Sequence, residues 1–270
     1  QHGNQPMISA DGRYVLSYNG EIYNYLELKL KLEHAGYIFQ SKSDSEVVLN
    51  ALAFWGVDAL LKFNGMFALA LWDRKKKKLL LARDRYGIKP LYVAKQRGKF
   101  SFGSEQKAIL SQPDFNRTLD KKTLVEYFTF QNIFTDKTLL KDIRLIPAGH
   151  YIIIDQKNLT NNMQWIQYWD YKFTEPKEKI DYQEQKEELD RLFKQSIKRQ
   201  LMSDVEVGTY LSGGIDSGSI TALTSEIIPN LKTFTCGFDV NSLSGIELSF
   251  DEREAAAKMS KHYNTDHHEI

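Results

Sequence analysis

A glycine-rich string, LSGGIDS at residues 211–217, carries the groups that phosphate chemistry requires. It follows an apolar segment at 205–210 and precedes a helix-like pattern, which predicts a strand, a tight loop and a helix start. Paired glycines let a backbone approach a ligand closely, and hydroxyls with helix N-terminal amides bind anions. The string lacks the lysine of a GxxxxGK[ST] loop. This absence favours cleavage of a nucleotide between its α- and β-phosphates over cleavage at its γ-phosphate. A glycine-rich turn capped by serine or aspartate is the alternative interpretation.

A second string, NGEIYN at residues 19–24, lies where a strand-like segment gives way to a helix-like one. Asn-Gly is typical of a hairpin turn, although no partner strand follows at once. The Asn19 carboxamide and the Gly20 amide could instead donate two hydrogen bonds to an oxyanion in acyl transfer. Glu21 could then bind an ammonium or amide group of the same substrate.

Asp44 is a further candidate for binding that ammonium group, from the first turn of a second predicted helix. A carboxylate there also interacts favourably with the helix dipole, and this alternative stays open. An oxyanion hole requires a nucleophile, and none is evident. The single cysteine, Cys236, lies in an apolar predicted strand, which favours packing over reactivity.

Composition restricts the partners that we expect. The 36 Lys and Arg residues nearly balance the 35 Asp and Glu residues, which disfavours nucleic acid as the main partner. One cysteine permits no internal disulfide, which fits a reducing compartment such as the cytoplasm. No apolar run approaches the length that crosses a bilayer, so we expect no membrane partner.

The first two-thirds of the chain predicts mostly strands. One helix is predicted over 21–35, and a second begins at a capping box formed by Ser43 and Glu46 and contains the apolar run 47–55. The predicted strands cover residues 65–72, 78–84, 91–94, 99–102 and 149–154. Because tight turns join most of them, we expect antiparallel sheet with helices on its faces.

The rhythm of the sequence changes after a polar stretch that we interpret as a linker at residues 173–180. A helix over 182–202 precedes the strand and loop described above. A helix, a strand over 232–238, a helix over 252–262 and a strand from 266 follow. This alternation predicts a parallel sheet with crossover helices, which binds ligands at the carboxyl ends of its strands. We therefore predict one domain over 1–172 and the start of a second over 181–270.

Six strings together resemble those of glutamine-hydrolysing asparagine synthetases, in the order of that family. They are QPM at 5–7, YNGEIYN at 18–24, NGMFA at 64–68, ARDRYGIKPLY at 82–92, SEQKA at 104–108 and LSGGIDS at 211–217. The resemblance implies an N-terminal-nucleophile (Ntn) hydrolase-type glutaminase domain of the α+β class, with stacked antiparallel sheets between helix layers. It implies that the start of an α/β ATP-pyrophosphatase domain follows, with a parallel sheet.

The resemblance also implies roles in glutamine hydrolysis. Asn19 and Gly20 correspond to the family's oxyanion hole, and Glu21 and Asp44 to its contacts with the amino-acid end of glutamine. The family's nucleophile is a cysteine at the mature N-terminus, whereas this chain opens with Gln1. We therefore expect a fragment, truncated at both ends, that does not hydrolyse glutamine by itself.

In the nucleotide half, the resemblance implies that the SGGxDS loop holds the pyrophosphate of ATP with Mg²⁺. The loop residues are Ser212, Gly213, Gly214, Asp216 and Ser217. Asp216 is the expected metal ligand, because Mg²⁺ usually binds one or two carboxylates together with phosphate oxygens. The backbone of Leu211 and the residue Cys236 correspond to positions that flank the adenine.

The function implied is ATP-dependent synthesis of asparagine from aspartate with glutamine-derived ammonia, through a β-aspartyl-AMP intermediate. A relative that uses adenylation for β-lactam ring closure or for amidation of a sugar acid is one alternative. A non-catalytic nucleotide-binding regulator is another. Glutamine, aspartate and ATP are the expected small-molecule partners, and a homodimer stays an open expectation.

Overall fold

The computed structural model describes residues 4–156, 163–175, 181–237 and 251–270. The chain divides into two compact units, Gln1–Phe173 and Thr174–Ile270. In the first unit the main strands are β1 (Met7–Ile8), β2 (Tyr14–Ile22), β3 (Gly65–Asp73), β4 (Lys78–Arg83), β5 (Tyr92–Gln96), β6 (Lys99–Gly103), β7 (Ile143–Leu145), β8 (His150–Asp155) and β9 (Ile166–Gln167). Its α-helices are α1 (Tyr25–His34), α2 (Asp44–Trp55), α3 (Ala59–Lys62), α4 (Gln106–Leu110) and α5 (Lys121–Phe130).

Two antiparallel sheets form the centre of the first unit. The larger sheet has the strand order β1-β2-β3-β4-β8-β9, and the smaller has the order β6-β5-β7. A buried cluster that includes Ala70, Leu81, Val93 and Ile152 joins the larger sheet to the smaller one. The two sheets are therefore stacked face to face.

Helices cover the outer face of each sheet. On the larger sheet, Leu16 and Phe67 pack with Leu28 of α1 and Leu52 of α2. On the smaller sheet, Ile109 of α4 packs against β5 and β7. The layers thus run helix, sheet, sheet, helix, which confirms the predicted α+β architecture of stacked antiparallel sheets between helix layers.

Two local predictions in this unit are wrong. The predicted helix over 21–35 begins later, because Glu21 and Ile22 pair with β3 opposite Met66 and Gly65, and α1 starts at Tyr25. The capping box is also incomplete.

The hydroxyl of Ser43 caps α2 by accepting a hydrogen bond from the amide of Ser45 at 3.2 Å. The Glu46 carboxylate does not return to Ser43. It accepts instead from the amides of Gln40 and Ser41, so it stabilises the preceding loop.

A fully buried aspartate organises the loop that follows β4. The Asp84 carboxylate accepts hydrogen bonds from four backbone amides, those of Phe67, Tyr86, Ile88 and Lys89, at 2.9–3.2 Å. Such bonds compensate the cost of burying a charged group. The strand β3 and the loop at 84–90 are thereby joined through one side chain.

The neighbouring Arg83 holds the same loop from its carbonyl side. Its guanidinium donates to the carbonyls of Gly87, Lys89 and Ile146. Gly87 has a φ of +66°, and a Cβ there would lie 2.9 Å from the guanidinium carbon. A glycine is therefore required at this turn.

The second unit contains a parallel sheet. Its elements are α6 (Tyr182–Gln200), β10 (Gly208–Tyr210), α7 (Ile215–Ile227), β11 (Lys232–Thr235), α8 (Arg253–Tyr263) and β12 (Asp266–Glu269). The strand order is β10-β11-β12, and both pairings are parallel. Crossover helices α7 and α8 connect the strands, which confirms the predicted α/β start of this domain.

Some predicted bounds change in this unit. The strand predicted over 232–238 ends at Thr235, and residue 238 lies outside the described residues, as do residues 176–180 of the predicted linker. No helix among the described residues is both long and apolar enough to cross a membrane.

We expect Asp84→Asn to lower the free energy of unfolding by about 2–4 kcal/mol, because the amide nitrogen would face two backbone N–H donors in a buried site. Urea unfolding followed by circular dichroism measures this loss. Asp114→Asn is the matched control: its carboxylate is exposed and lies 3.8 Å from Lys99, so a change below about 0.5 kcal/mol is expected. Equal effects of the two substitutions would contradict this role of Asp84.

Candidate functional site

The first candidate site lies at the carboxyl end of β2. Asn19 and Gly20 are strand residues paired with Ala68 and Phe67 of β3. This pairing excludes the hairpin-turn interpretation of the Asn-Gly pair. A Cβ at Gly20 would lie 2.2 Å from the carbonyl oxygen of Met66, so the close approach of β3 requires a glycine here.

The Gly20 amide points away from β3. Phe67, opposite Gly20, exchanges hydrogen bonds with Asp84 on its other side: its carbonyl accepts from the Asp84 amide, and its own amide donates to the Asp84 carboxylate. Because the N–H and C=O of a strand residue point to the same side, Gly20 and Phe67 form a non-hydrogen-bonded pair. The Gly20 amide therefore faces the outer edge of β2.

That edge is covered on either side of Gly20 but not at Gly20 itself. The amide and carbonyl of Tyr18 both bond the side-chain amide of Gln5, at 2.5 and 2.6 Å. The Ile22 amide donates to the Asp44 carboxylate at 3.1 Å. Strand β1 pairs with β2 only at Val15 and Leu16, so the described strands leave the Gly20 amide open.

Asp44 is held to β2 through one carboxylate oxygen. Its Oδ2 accepts hydrogen bonds from the Tyr18 hydroxyl at 2.8 Å and from the Ile22 amide at 3.1 Å. Burial, and then the negative charge of Asp44, raise the pKa of Tyr18 far above its ordinary value, so the phenol remains a donor. Asp44 thus joins α2 to β2 in addition to lying in the first turn of the helix.

Glu21 lies within electrostatic range of the same hydroxyl. The charge of Glu21 contributes to the raised pKa of Tyr18, after burial and Asp44. It also raises the pKa of Tyr23, after burial. The structure thus brings Asn19, Gly20, Glu21 and Asp44 together at one end of β2.

The second candidate site lies in the second unit, at the carboxyl ends of the parallel strands. The Leu211 amide donates to the Phe234 carbonyl at 2.9 Å, and the Thr235 hydroxyl donates to the Leu211 carbonyl. Buried Leu211 is therefore fixed at the start of the loop. Cys236 follows directly after the last residue of β11.

Hydroxyl groups close the loop between β10 and α7. Ser212 Oγ and Ser217 Oγ lie 2.8 Å apart, and the Ser212 amide donates to Ser217 Oγ at 3.0 Å. The Gly214 amide donates to Ser212 Oγ at 3.1 Å. The hydroxyls of Ser212 and Ser217 thus hold the loop in its conformation. A bound anion would replace some of these hydrogen bonds with hydrogen bonds to itself.

Asp216 is not a helix cap. The N-cap residue of α7 is Gly214, and no side chain of the described residues caps this helix. The exposed Asp216 carboxylate makes no hydrogen bond or ion pair within the part of the chain that the structure describes. A carboxylate beside uncapped helix amides fits the donor set of a Mg²⁺–phosphate complex.

Two expectations for the loop change. Cys236 is exposed rather than packed in the strand, because β11 ends one residue earlier. Gly213 has a packing reason of its own, since a Cβ there would lie 2.9 Å from the Cβ of Ala255 in α8. Close helix packing therefore requires this glycine whether or not a ligand approaches it.

Three residues that support these sites carry no role that the sequence indicates. Tyr18 holds Asp44, Thr235 holds the Leu211 carbonyl, and Ser104 accepts a hydrogen bond from the Asn19 carboxamide at 3.1 Å. Tyr18 and Ser104 belong to strings that indicated the family. A local sequence pattern, however, cannot identify a hydrogen-bond partner that lies 26 or 85 residues away in the chain.

Comparison with known families agrees with the two units. The glutamine amidotransferase domain family matches residues 1–169, and the asparagine synthase family matches residues 188–270. The chain belongs to the asparagine synthetase family of glutamine amidotransferases.

Its relatives are longer proteins. A putative glutamine-hydrolysing asparagine synthetase of Mycobacterium tuberculosis is 35% identical over 94% of this chain and 40% of its own length. Asparagine synthetase 3 of Bacillus subtilis is 34% identical over 98% of this chain and 44% of its own length. The chain thus spans about two-fifths of the length of these relatives.

A solved structure of glutamine PRPP amidotransferase from B. subtilis, in complex with ADP and GMP, is 14% identical in sequence to this chain. The match covers 98% of this chain and 48% of the chain in that structure. Its TM-score is 0.42. The family assignment rests on the two family matches rather than on this similarity.

We expect Tyr18→Phe to raise the KM for glutamine about 3- to 10-fold in the full-length protein, with kcat nearly unchanged. The Asp44 carboxylate would lose one of its two donors, and the net contribution of a typical intramolecular hydrogen bond is about 0.5–1.5 kcal/mol. Steady-state glutamate release measures both constants. Tyr14→Phe, a second aromatic residue of β2, is the control, and an equal rise in KM there would contradict the assignment.

Proposed function

We propose that the full-length protein transfers the amide nitrogen of glutamine to the β-carboxylate of aspartate, and consumes ATP to give AMP and pyrophosphate. The observation that carries the proposal is the open Gly20 amide beside the Asn19 carboxamide, with Asp44 held at the same end of β2. Oriented donors of this kind stabilise a tetrahedral oxyanion. The loop at 211–217 supports the ATP-dependent half.

In the glutaminase half, Glu21 and the second carboxylate oxygen of Asp44, Oδ1, bind the α-ammonium group of glutamine. Asn19 and Gly20 donate hydrogen bonds to the side-chain carbonyl oxygen as it becomes an oxyanion. The family resemblance assigns nucleophilic attack to a cysteine, and residues 1–235 contain none. Residues of this chain therefore contribute substrate binding and oxyanion stabilisation to the step that releases ammonia.

In the nucleotide half, an oxygen of the aspartate β-carboxylate attacks the α-phosphorus of ATP. The bond from that phosphorus to the β-phosphate oxygen breaks, and pyrophosphate leaves. Ammonia then attacks the carbonyl carbon of β-aspartyl-AMP, AMP departs with the transferred oxygen, and a proton is lost. The first step converts a carboxylate oxygen, which is a poor leaving group, into part of a good one.

The loop at 211–217 would meet the charge of the pyrophosphate. Ser212, Ser217 and the uncapped amides of α7 would donate to its oxygens, with Asp216 as the protein ligand of Mg²⁺. When bound, Mg²⁺ neutralises charge that develops on the leaving phosphates. The adenine would lie between Leu211 and Cys236.

We expect Asn19→Ala to lower kcat for glutamine hydrolysis about 100- to 1,000-fold, the usual effect of removing one oxyanion donor. The KM for glutamine should change little, because the donor acts mainly in the transition state. Glutamate release from the full-length protein measures the effect. Asn132→Ala, an exposed asparagine of the same unit, is the matched control; an unchanged kcat in Asn19→Ala would contradict the proposal.

We expect Asp216→Asn to abolish pyrophosphate release from ATP and aspartate, with ammonia supplied, while glutamine hydrolysis is retained. Asp190→Asn, which removes an exposed carboxylate paired with Lys194 at 2.7 Å, should leave both activities intact.

Release of inorganic phosphate by the wild type would contradict cleavage at the α-phosphate. Pyrophosphate release with a β-amino acid or a sugar acid, but not with aspartate, would favour the adenylating alternatives, and no release with any acid would favour a regulator.

A further inference from the structure

We propose that Ser104 is a positioning residue for the oxyanion hole, because its hydroxyl holds one N–H of the Asn19 carboxamide and thereby aims the other. The inference rests on the proposed glutaminase function. It extends the site from β2 to a residue that follows β6 of the second sheet. No role for this hydroxyl follows from the sequence alone.

The contact joins the two stacked sheets. Asn19 lies opposite Ala68, whose side chain packs in the cluster between the sheets, so the Asn19 side chain shares that face. Its Nδ2 donates to Ser104 Oγ at 3.1 Å. The serine directly follows Gly103, the last residue of β6.

Ser104 is held from both sides along the chain. Gly103 pairs with Tyr92 of β5, and α4 begins two residues after Ser104 at Gln106. Ile109 of α4 is fully buried against the smaller sheet. A Cβ at Gly103 would lie 3.2 Å from the Cβ of Ala108, so the turn between β6 and α4 is closely packed. The hydroxyl is therefore presented from a fixed position.

The Asn19 side chain needs such a partner. Asn19 is exposed, and rotation about the bond to its carboxamide is broad and nearly two-fold. A carboxamide turned by 180° would present its own oxygen, an acceptor, to the developing oxyanion. Ser104 engages one N–H of the nitrogen, so the second N–H is left for the substrate oxygen.

The test is a double-mutant cycle in the full-length protein, with glutamate release as the readout. We expect Ser104→Ala to lower kcat about 10-fold, the equivalent of one oriented hydrogen bond, with the KM for glutamine within about 2-fold. Ser104→Thr keeps the hydroxyl and should restore most of kcat. In the Asn19→Ala background, Ser104→Ala should have no further effect on kcat, because the group that it positions is absent.

A merely structural role would give a different pattern. Ser104→Ala would then lower the unfolding midpoint, change KM and kcat together, and keep its effect on kcat in the Asn19→Ala background. Either that pattern or an unchanged kcat in Ser104→Ala would overturn the inference. If Asn19→Ala lowers kcat while Ser104→Ala does not, the proposed function stands and only the role of Ser104 fails. Wild-type protein without glutamine hydrolysis would overturn both.

Discussion

The close pairing of β2 with β3 is the constraint on which the proposed glutaminase site depends. A Cβ at Gly20 or at Gly65 would lie about 2 Å from a carbonyl oxygen of the facing strand, 2.2 Å and 2.0 Å respectively. This pairing fixes the register of β2 against β3. On the side of β3 that faces away from β2, the Phe67 amide donates a hydrogen bond to the Asp84 carboxylate. As a result the Gly20 amide is turned to the outer edge of β2, where no described strand covers it. Asp44 and Ser104 then approach this end of β2 from the helix layer and from the second sheet.

The second unit uses a different arrangement for a similar purpose. There the parallel strands end together, and the loop at 211–217 is stabilised by the hydroxyls of Ser212 and Ser217 and by Thr235 on the neighbouring strand. Both sites therefore combine open backbone amides with a carboxylate nearby, which two hydrogen bonds hold in the case of Asp44 and which is exposed in the case of Asp216. In the first unit the carboxylates would bind an ammonium group, and in the second Asp216 would bind a metal ion that accompanies phosphate.

Sequence patterns predicted the antiparallel sheet of the first unit and the parallel sheet of the second, because alternation and glycine turns are local signals. The stacking of two sheets between helix layers was implied by the family resemblance. The patterns misplaced the start of α1, since Ile22 fits both a helical stripe and the buried face of a strand, and only pairing with β3 decides between them. They also placed Cys236 inside β11, although the pairing with β10 ends at Phe234. The contacts of Tyr18 with Asp44 and of Ser104 with Asn19 could not be predicted, because they depend on how α2 and the second sheet pack on β2. The roles of Asn19, Gly20, Glu21, Asp44 and the loop residues stay predictions.

We propose that glutamine is bound, and its amide cleaved, at the carboxyl end of β2. A crystal structure of the full-length protein with L-glutamate, the hydrolysis product, tests this most directly. The account predicts that a γ-carboxylate oxygen of glutamate lies within hydrogen-bond distance of the Gly20 amide and Asn19 Nδ2, with its ammonium group on Asp44 Oδ1 and Glu21. Glutamate bound elsewhere, or bound here with its ammonium group away from both carboxylates, would contradict it.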